Sequence, residues 1–276
     1  SVVYGEYYST PIGRIGDTNE ITWTLSFWIS PDEIECSSRH CGDNNPYIPS
    51  GSTEIMRGIN NIAYVAGNGS EQKDFQFWLW RGKNNELYFE MRDDLANRNN
   101  QSDLESDFRY IVSSKDDVLD KNIWTHVLLR CKVPSLVANT ECEFFTNGES
   151  AIDVAKRGSD YRGSSSTTAD AFNGARELVW ENISITGAFH ALDDLSIWNT
   201  ALTQEQIQSY MIASPAGNES NLIGYWNFND GDGSTLTDLS GNGNYGTIVG
   251  ATWDNEVPET SSSSGGDADY QNYVSD

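Results

Sequence analysis

The chain has few basic residues and no long apolar run, and both shortages exclude classes of partner. It carries 17 Lys and Arg against 41 Asp and Glu over 276 residues, for a formal net charge of -24. Nucleic-acid binding depends on Lys and Arg that neutralise phosphates, and anionic membrane surfaces attract basic segments. We therefore expect no nucleic acid among its partners. No apolar run approaches the roughly 18 residues of a membrane-spanning helix, so we also expect no membrane span.

The sequence also lacks the short motifs and the strand–helix alternation of many enzyme folds. No Gly-x-Ser-x-Gly, His-Glu-x-x-His or phosphate-binding loop is present. Strand-like and helix-like segments do not alternate, which argues against a parallel-sheet enzyme fold. Hydrophobic residues nevertheless make up 37% of the chain, with 9 Trp among them, which is enough to build a core.

Cysteine is scarce, and the four cysteines fall into two locally spaced pairs. Cys36 and Cys41 bracket a polar loop. Cys131 ends one strand-like run and Cys142 begins the next, so a bridge between them is easy if the two runs pair as antiparallel neighbours. We predict two disulfides, which place the protein outside the cytoplasm, secreted or at the cell surface. Free thiols and a metal site remain alternatives, although the Cys-x4-Cys spacing differs from that of known zinc modules.

Alternation of apolar and polar residues with a period of two dominates the chain and predicts β-strands. Within 21–30 the odd-numbered residues form the apolar face. Residues 75–80 and 86–92 predict a hairpin whose odd-numbered residues face the core. Asn147-Gly148 is the turn signal of a further hairpin. Thr203, with Gln three positions later, has the pattern of a capping box and predicts one short helix.

Two late segments resemble the laminin-G-like domains of the concanavalin A-like lectin and glucanase superfamily. The segment FHALDDLSIWNTALTQEQIQSYM is similar to a family pattern in which an Asp pair begins a strand that leads to a short helix. The segment NLIGYWNFNDGDGSTLTDLSGNGNYGTIVGATW is similar to the family's Gly- and Asn-rich pattern that follows. TLSFWISP and WTHVLLR fit the family's earlier strands, so the resemblance extends from about residue 20 to 257.

The resemblance implies two antiparallel sheets packed as a curved jelly roll. The many short strands, the hairpin turns and the near absence of helix favour the same fold class independently. We therefore predict an all-β, two-sheet antiparallel jelly-roll sandwich with one short helix near the C-terminal part. Residues 1–258 form this domain, and residues 259–276, rich in Ser, Gly and Asp, form a tail or linker. The fold does not determine the function, because it hosts lectins, glycosidases and adhesive modules.

Calcium is the cofactor that the resemblance implies, as a structural ion at the rim of the sandwich. Calcium takes about six to eight oxygen ligands, which an acidic, Asn-rich loop with glycine turns can supply. The predicted metal ligands are Asp230, Asp238, Asn242, Asn244 and Asp193. Counting by twos places Asp193 on the apolar face of Leu195 and Ile197, where an unpaired carboxylate would be costly. The alternatives are a buried hydrogen-bond acceptor at Asp193 and, at the other positions, a turn network without an ion.

Four aromatic residues lie on the face of their strands that is opposite the predicted core. They are Trp28, Trp78, Trp80 and Tyr88, and we predict that they bind a glycan or polysaccharide. Rings spaced along a groove stack on the apolar faces of sugars, and neighbouring acids and amides bond the hydroxyls. The alternative is that long loops cover these rings, or that the rings pack the second face of a sheet.

A glycan-cleaving enzyme is a further possibility, which the sequence disfavours. Retaining glycosidases of this superfamily carry a Glu-x-Asp-x-Glu pattern on one strand. Glu86 and Glu90 match its outer acids, but Tyr88 stands where the pattern has its central Asp. We therefore predict no catalytic residues and no enzymatic activity. His126 lies in the middle of a strand and is expected to be structural.

These features together predict a non-catalytic extracellular module for adhesion or recognition that binds a glycan and holds a structural calcium. The alternative is a structural subunit of an extracellular filament or surface assembly. Such a subunit would be held by loop contacts and by self-association through residues 259–276. The identity of the ligand, the oligomeric state and the disulfide connectivity remain open at this point.

Overall fold

The computed structural model describes residues 12–14, 20–32, 50–66, 69–93, 108–134, 140–153, 158–161, 176–185 and 189–258. Cys36, Cys41 and the tail 259–276 lie outside these ranges, so the predictions made for them stay predictions. Within the described ranges, no helix is long and apolar enough to cross a membrane.

Fifteen strands and one helix follow one another along the described parts of the chain. They are β1 (Ile12–Arg14), β2 (Glu20–Pro31), β3 (Thr53–Ala66), β4 (Gly69–Arg81), β5 (Leu87–Asp93), β6 (Phe108–Ser113), β7 (Thr125–Pro134), β8 (Glu141–Thr146), β9 (Glu149–Ser150), β10 (Gly158–Tyr161), β11 (Arg176–Ile185), β12 (Phe189–Trp198), α1 (Gln204–Ile212), β13 (Leu222–Trp226), β14 (Thr235–Leu236) and β15 (Gly246–Thr247).

The strands form two large antiparallel sheets. The seven-stranded sheet has the order β1-β11-β3-β4-β5-β6-β10, and the six-stranded sheet has the order β13-β12-β2-β7-β8-β9. The strands β14 and β15 form a separate small ribbon. The prediction of an all-β antiparallel sandwich with one short helix is therefore confirmed.

The core contains the faces that the period-two pattern assigns to it. Each of the two sheets contributes buried apolar side chains to one cluster. From β2 these are Ile21, Trp23, Leu25, Phe27 and Ile29, and from the β4–β5 hairpin they are Phe77, Leu79, Leu87, Phe89 and Met91. The prediction holds for β2, β4 and β5 because their alternation is not interrupted over these residues, so the same face of each strand stays apolar.

Turns and a disulfide hold neighbouring strands at the predicted places. Asn147 and Gly148 join β8 to β9, both with positive φ, which matches the tight hairpin turn expected of Asn-Gly. Cys131 and Cys142 are register partners on β7 and β8, and they form the predicted disulfide with their Cα atoms 4.1 Å apart. The bridge is buried in the core between the sheets.

Helix α1 covers part of the outer face of the six-stranded sheet. Thr203 and Gln206 form the predicted capping box, in which each side chain accepts a hydrogen bond from the other residue's backbone N–H. Ile207 is the buried residue of the helix, and the Tyr210 ring stacks on Trp198 at 4.8 Å between ring centroids. Packing on the sheet thus stabilises a helix that is too short to be stable alone.

A β-bulge in β12 overturns the predicted placement of Asp193. Asp193 lies opposite Trp28, but the next residue pair is Ser196 with Ser26, so β12 has one residue more than β2 between these two points. The extra residue is accommodated at Asp194, whose φ is 48°. The count by twos is therefore wrong at this point, and Asp193 lies on the outer face with Trp28 and not on the core face.

Candidate functional site

Two rows of polar and aromatic side chains cross four neighbouring strands, β3 to β6, on the outer face of the seven-stranded sheet. The first row consists of Glu54, Trp80, Tyr88 and Ser113. The second row consists of Arg57, Trp78, Glu90 and Ile111. Because side chains alternate along a strand, both rows lie opposite the core residues of β4 and β5. We call these eight residues the aromatic face.

The two rows differ in how much solvent reaches them. In the first row Trp80 is 8% exposed and Tyr88 6%, and both pack with Trp78 and Ile111 of the second row. In the second row Trp78 and Ile111 are partly exposed, and the Arg57 side chain is 40% exposed. The second row is therefore where a dissolved ligand can first contact this face.

The carboxylate of Glu86 fixes the Tyr88 ring. The Tyr88 hydroxyl donates to Glu86 Oε1 at 2.8 Å, and the backbone N–H of Asn84 donates to Oε2 at 2.8 Å. Gly82 makes room for this carboxyl group, because a Cβ at that position would lie within 2.6 Å of its atoms. Burial, together with the bond to Glu86, raises the pKa of Tyr88 well above its ordinary value, so the phenol remains neutral.

Two further carboxylates and one guanidinium give the face its polar groups. Glu54 and Glu90 are 3% and 1% exposed. Arg57 Nε lies 3.6 Å from Glu54 Oε1, so the charge of the arginine is balanced within the face. The indole N–H of Trp80 is buried and has no hydrogen-bond partner in the described part of the chain. Leaving such a donor unpaired costs roughly 1–3 kcal/mol.

The structure does not bring all four predicted ligand-binding aromatics together. Trp78, Trp80 and Tyr88 share the aromatic face, but Trp28 is on β2, in the other sheet. Trp28 is 6% exposed and lies against the ring of His126, at 5.2 Å between ring centroids. Strand neighbours cannot be read from period-two patterns, so the sequence could not separate Trp28 from the other three.

Trp28 is surrounded by a polar cluster on the outer face of the six-stranded sheet. Ser26 Oγ and His126 Nε2 are 2.8 Å apart, and burial lowers the pKa of His126 to about 4. Asp193 Oδ1 accepts the backbone N–H of Asp194 at 2.9 Å. Burial, and next the Asp194 carboxylate, raise the pKa of Asp193 above its ordinary value. His126 is therefore a buried, neutral imidazole at neutral pH, and its Nδ1 has no hydrogen-bond partner among the described residues.

Asp194 has partners of its own. Ser214 Oγ donates to Asp194 Oδ2 at 2.6 Å, and the Tyr225 hydroxyl donates to Oδ1 at 2.7 Å. Burial raises the pKa of Asp194, and it raises the pKa of Tyr225 as well. These bonds tie the bulge of β12 to β13 and to the end of the helix region.

The predicted calcium ligands of the C-terminal segment are engaged in hydrogen bonds within the protein. Asp238 is 5% exposed and accepts three backbone N–H groups. Asn242 and Asn244 donate their side-chain N–H groups to backbone carbonyls of β13. Asp230 accepts the backbone N–H and the hydroxyl of Thr237. In the portion of the chain that is described, no three His, Cys, Asp or Glu side chains are grouped so that they could hold a metal ion.

Glu54 and Arg57 are members of the aromatic face that the sequence did not identify. A second irregularity of register, between Glu54 and Met56, interrupts the alternation of β3. As a result Glu54 and Arg57, three positions apart, lie on the same face of the sheet. Period-two counting would place them on opposite faces, so the pattern carried no signal for this pair.

Comparison with known proteins does not add a family to this geometry. No protein-family model matches the chain, and no curated protein matches it. The likeness to laminin-G-like domains therefore rests on the segments quoted above.

Proposed function

We propose that this protein is a non-catalytic extracellular recognition module that binds a glycan on its aromatic face, with the laminin-G-like ancestry that its late segments suggest. The observation that carries the proposal is the double row of side chains across β3 to β6. It combines three aromatic rings with carboxylates and a guanidinium on one side of a sheet. Sugars present both apolar ring faces and hydroxyl groups, and this combination suits both.

Trp78 is the aromatic residue that a sugar contacts directly. It is the partly exposed member of the aromatic cluster, and its register partners are Arg57 on β3 and Glu90 on β5. A sugar stacked on Trp78 therefore lies beside the Arg57 guanidinium, whose side chain is 40% exposed and carries several N–H donors. Trp80 and Tyr88 support Trp78 from the neighbouring row, and Glu86 holds Tyr88 in place.

The test is glycan binding by the whole chain and by two aromatic variants. A panel of immobilised polysaccharides identifies a ligand, and isothermal titration then measures its affinity. Trp78→Ala is expected to weaken binding by about tenfold or more, because a central aromatic anchor contributes on the order of 1–2 kcal/mol. Tyr245→Ala is the matched control, since Tyr245 is an aromatic residue that is 56% exposed and belongs to a different part of the fold.

Several results would contradict the proposal. Binding to no polysaccharide of the panel would do so, and so would equal affinities of Trp78→Ala and the unchanged chain. Release of sugar products that stops in Glu86→Gln or Glu90→Gln would instead establish a glycan-cleaving enzyme. Concentration-dependent assembly that disappears when residues 259–276 are deleted would favour the structural subunit.

A further inference from the structure

We infer that the Asp238 carboxylate closes the rim beside β13, and that this rim folds without a divalent cation. The rim is the segment 238–244, which contains three of the residues that the sequence predicts as calcium ligands. The inference is independent of the proposed glycan site, because β13 belongs to the six-stranded sheet and the aromatic face to the seven-stranded one.

β13 is an edge strand, and the rim occupies its open side. Among the described strands of the six-stranded sheet, β13 is bonded to β12 only. The backbone N–H of Tyr225 donates to Asp238 Oδ1 at 3.1 Å, and the Tyr225 carbonyl accepts the N–H of Leu239 at 2.7 Å. Backbone groups on an open sheet edge need partners or a cover. The rim provides both for β13.

The Asp238 carboxylate connects β13 to two other residues of the rim. Besides Tyr225, the backbone N–H of Ser240 donates to Asp238 Oδ1 at 2.9 Å, and the N–H of Asn244 donates to Oδ2 at 2.8 Å. Three N–H dipoles thus direct their positive ends at one buried carboxylate. They supply the positive potential that a bound cation would otherwise supply.

The two asparagines of the rim donate their side-chain N–H groups to backbone carbonyls of β13. Asn242 Nδ2 lies 3.1 Å from the Leu222 carbonyl oxygen and 3.2 Å from that of Ile223. Asn244 is 2% exposed, and its Nδ2 lies 2.6 Å from the same Ile223 oxygen. Backbone carbonyls are ligands that calcium commonly uses. Here both carbonyls already accept side-chain amide protons.

The remaining predicted ligands do not add charge to the rim. Asp230 is exposed and bonds Thr237, whereas Asp193 lies on the outer face of β12 and accepts the N–H of Asp194. The rim therefore contains one buried carboxylate with three backbone donors. Calcium sites of useful affinity depend on several charged oxygen ligands. The donor set present at the rim does not fit that requirement.

The test is thermal unfolding of the full chain in calcium and in chelator, at fixed ionic strength and protein concentration. The unchanged chain is expected to have the same midpoint in both. Asp238→Asn replaces one acceptor oxygen by a donor that faces backbone N–H groups, and we expect its midpoint to be lower by roughly 3–10 °C in both solutions. Asp232→Asn is the matched control, because it removes the same charge from an exposed position nearby, and it should leave the midpoint unchanged.

A calcium-specific rise of the midpoint that is lost in Asp238→Asn and kept in Asp232→Asn would overturn the inference. If Asp238→Asn does not fold, calorimetric titration of the unchanged chain with calcium decides the question. Absence of binding heat at millimolar calcium would support the inference. Binding of one calcium per chain, with loss of that binding in Asn244→Ala, would overturn it.

Discussion

His126 makes the stability of this protein depend on pH in a defined window. The side chain is 2% exposed, and burial lowers its pKa from 6.5 to about 4. In the unfolded chain the imidazole titrates near its ordinary pKa of about 6.5. Between these two values the unfolded state binds a proton that the folded state does not. The contribution of the neutral His126 to the free energy of unfolding is therefore complete above about pH 6.5, and it is lost progressively as the pH falls toward 4.

The size of the effect follows from the two pKa values. One pKa unit corresponds to about 1.4 kcal/mol, so the interval from 6.5 to about 4 removes roughly 3 kcal/mol from the free energy of unfolding. This is a large fraction of the roughly 5–15 kcal/mol that stabilises an ordinary domain. The burial that causes it is specific: Trp28 lies against the ring, and Ser26 Oγ is the hydrogen-bond partner of Nε2.

Urea unfolding of the unchanged chain and of His126→Gln, at pH 7, 6, 5 and 4, measures this contribution. Glutamine keeps a polar group near Ser26 but does not titrate. The difference in free energy of unfolding between the two proteins is expected to change by about 3 kcal/mol from pH 7 to pH 4. Other titrating groups act on both proteins and cancel in the difference. A difference that stays constant over the whole range would refute the assignment of His126 as a buried neutral imidazole.

Two further substitutions test the packing and the charges of the six-stranded sheet. The raised pKa of Asp193 means that the folded state binds a proton more tightly than the unfolded state does. The contribution of Asp193 to the free energy of unfolding therefore falls as the pH rises above about 4. Asp193→Asn should be more stable than the unchanged chain at pH 7. Urea unfolding of both proteins at pH 4 and at pH 7 checks this, and a variant that is less stable than the unchanged chain at pH 7 contradicts it. Gly224→Ala would place a Cβ 2.4 Å from the buried Trp226 ring, which should cost roughly 1–3 kcal/mol in chemical unfolding. An equal loss in a Trp226→Leu background would show that the ring is not the cause.

The sequence predicts the fold class and the faces of uninterrupted strands. In β2, β4 and β5 each step of two residues returns to the same face, so Phe27 and Phe89 could be assigned to the core before the structure was known. The Asn147 turn and the Thr203 cap are equally local, since each depends on a few adjacent residues. What these features share is that their geometry is determined within about ten residues of chain.

The candidate site depends on geometry that is not local. Bulges in β3 and β12 move Arg57 and Asp193 to faces that counting does not predict, because one extra residue reverses every side chain beyond it. Which strands are neighbours is determined by pairing between distant segments. For that reason Trp78 joins Tyr88 on one sheet, while Trp28 faces away from both on the other.

The C-terminal rim shows why composition alone cannot separate an ion site from a hydrogen-bonded edge. Both need oxygen-bearing side chains and glycines that tolerate positive φ, and Gly241 and Gly243 have φ of 78° each. The two differ in what the side chains face. An open strand edge offers N–H groups and carbonyls alternately, so it requires acceptors and donors together. Asp238 supplies the acceptor and the Asn244 side-chain N–H supplies the donor for one edge, β13. Which backbone groups Asp238 and Asn244 meet depends on where β13 lies, and that position is set by pairing with β12, which the local sequence pattern of the rim does not contain.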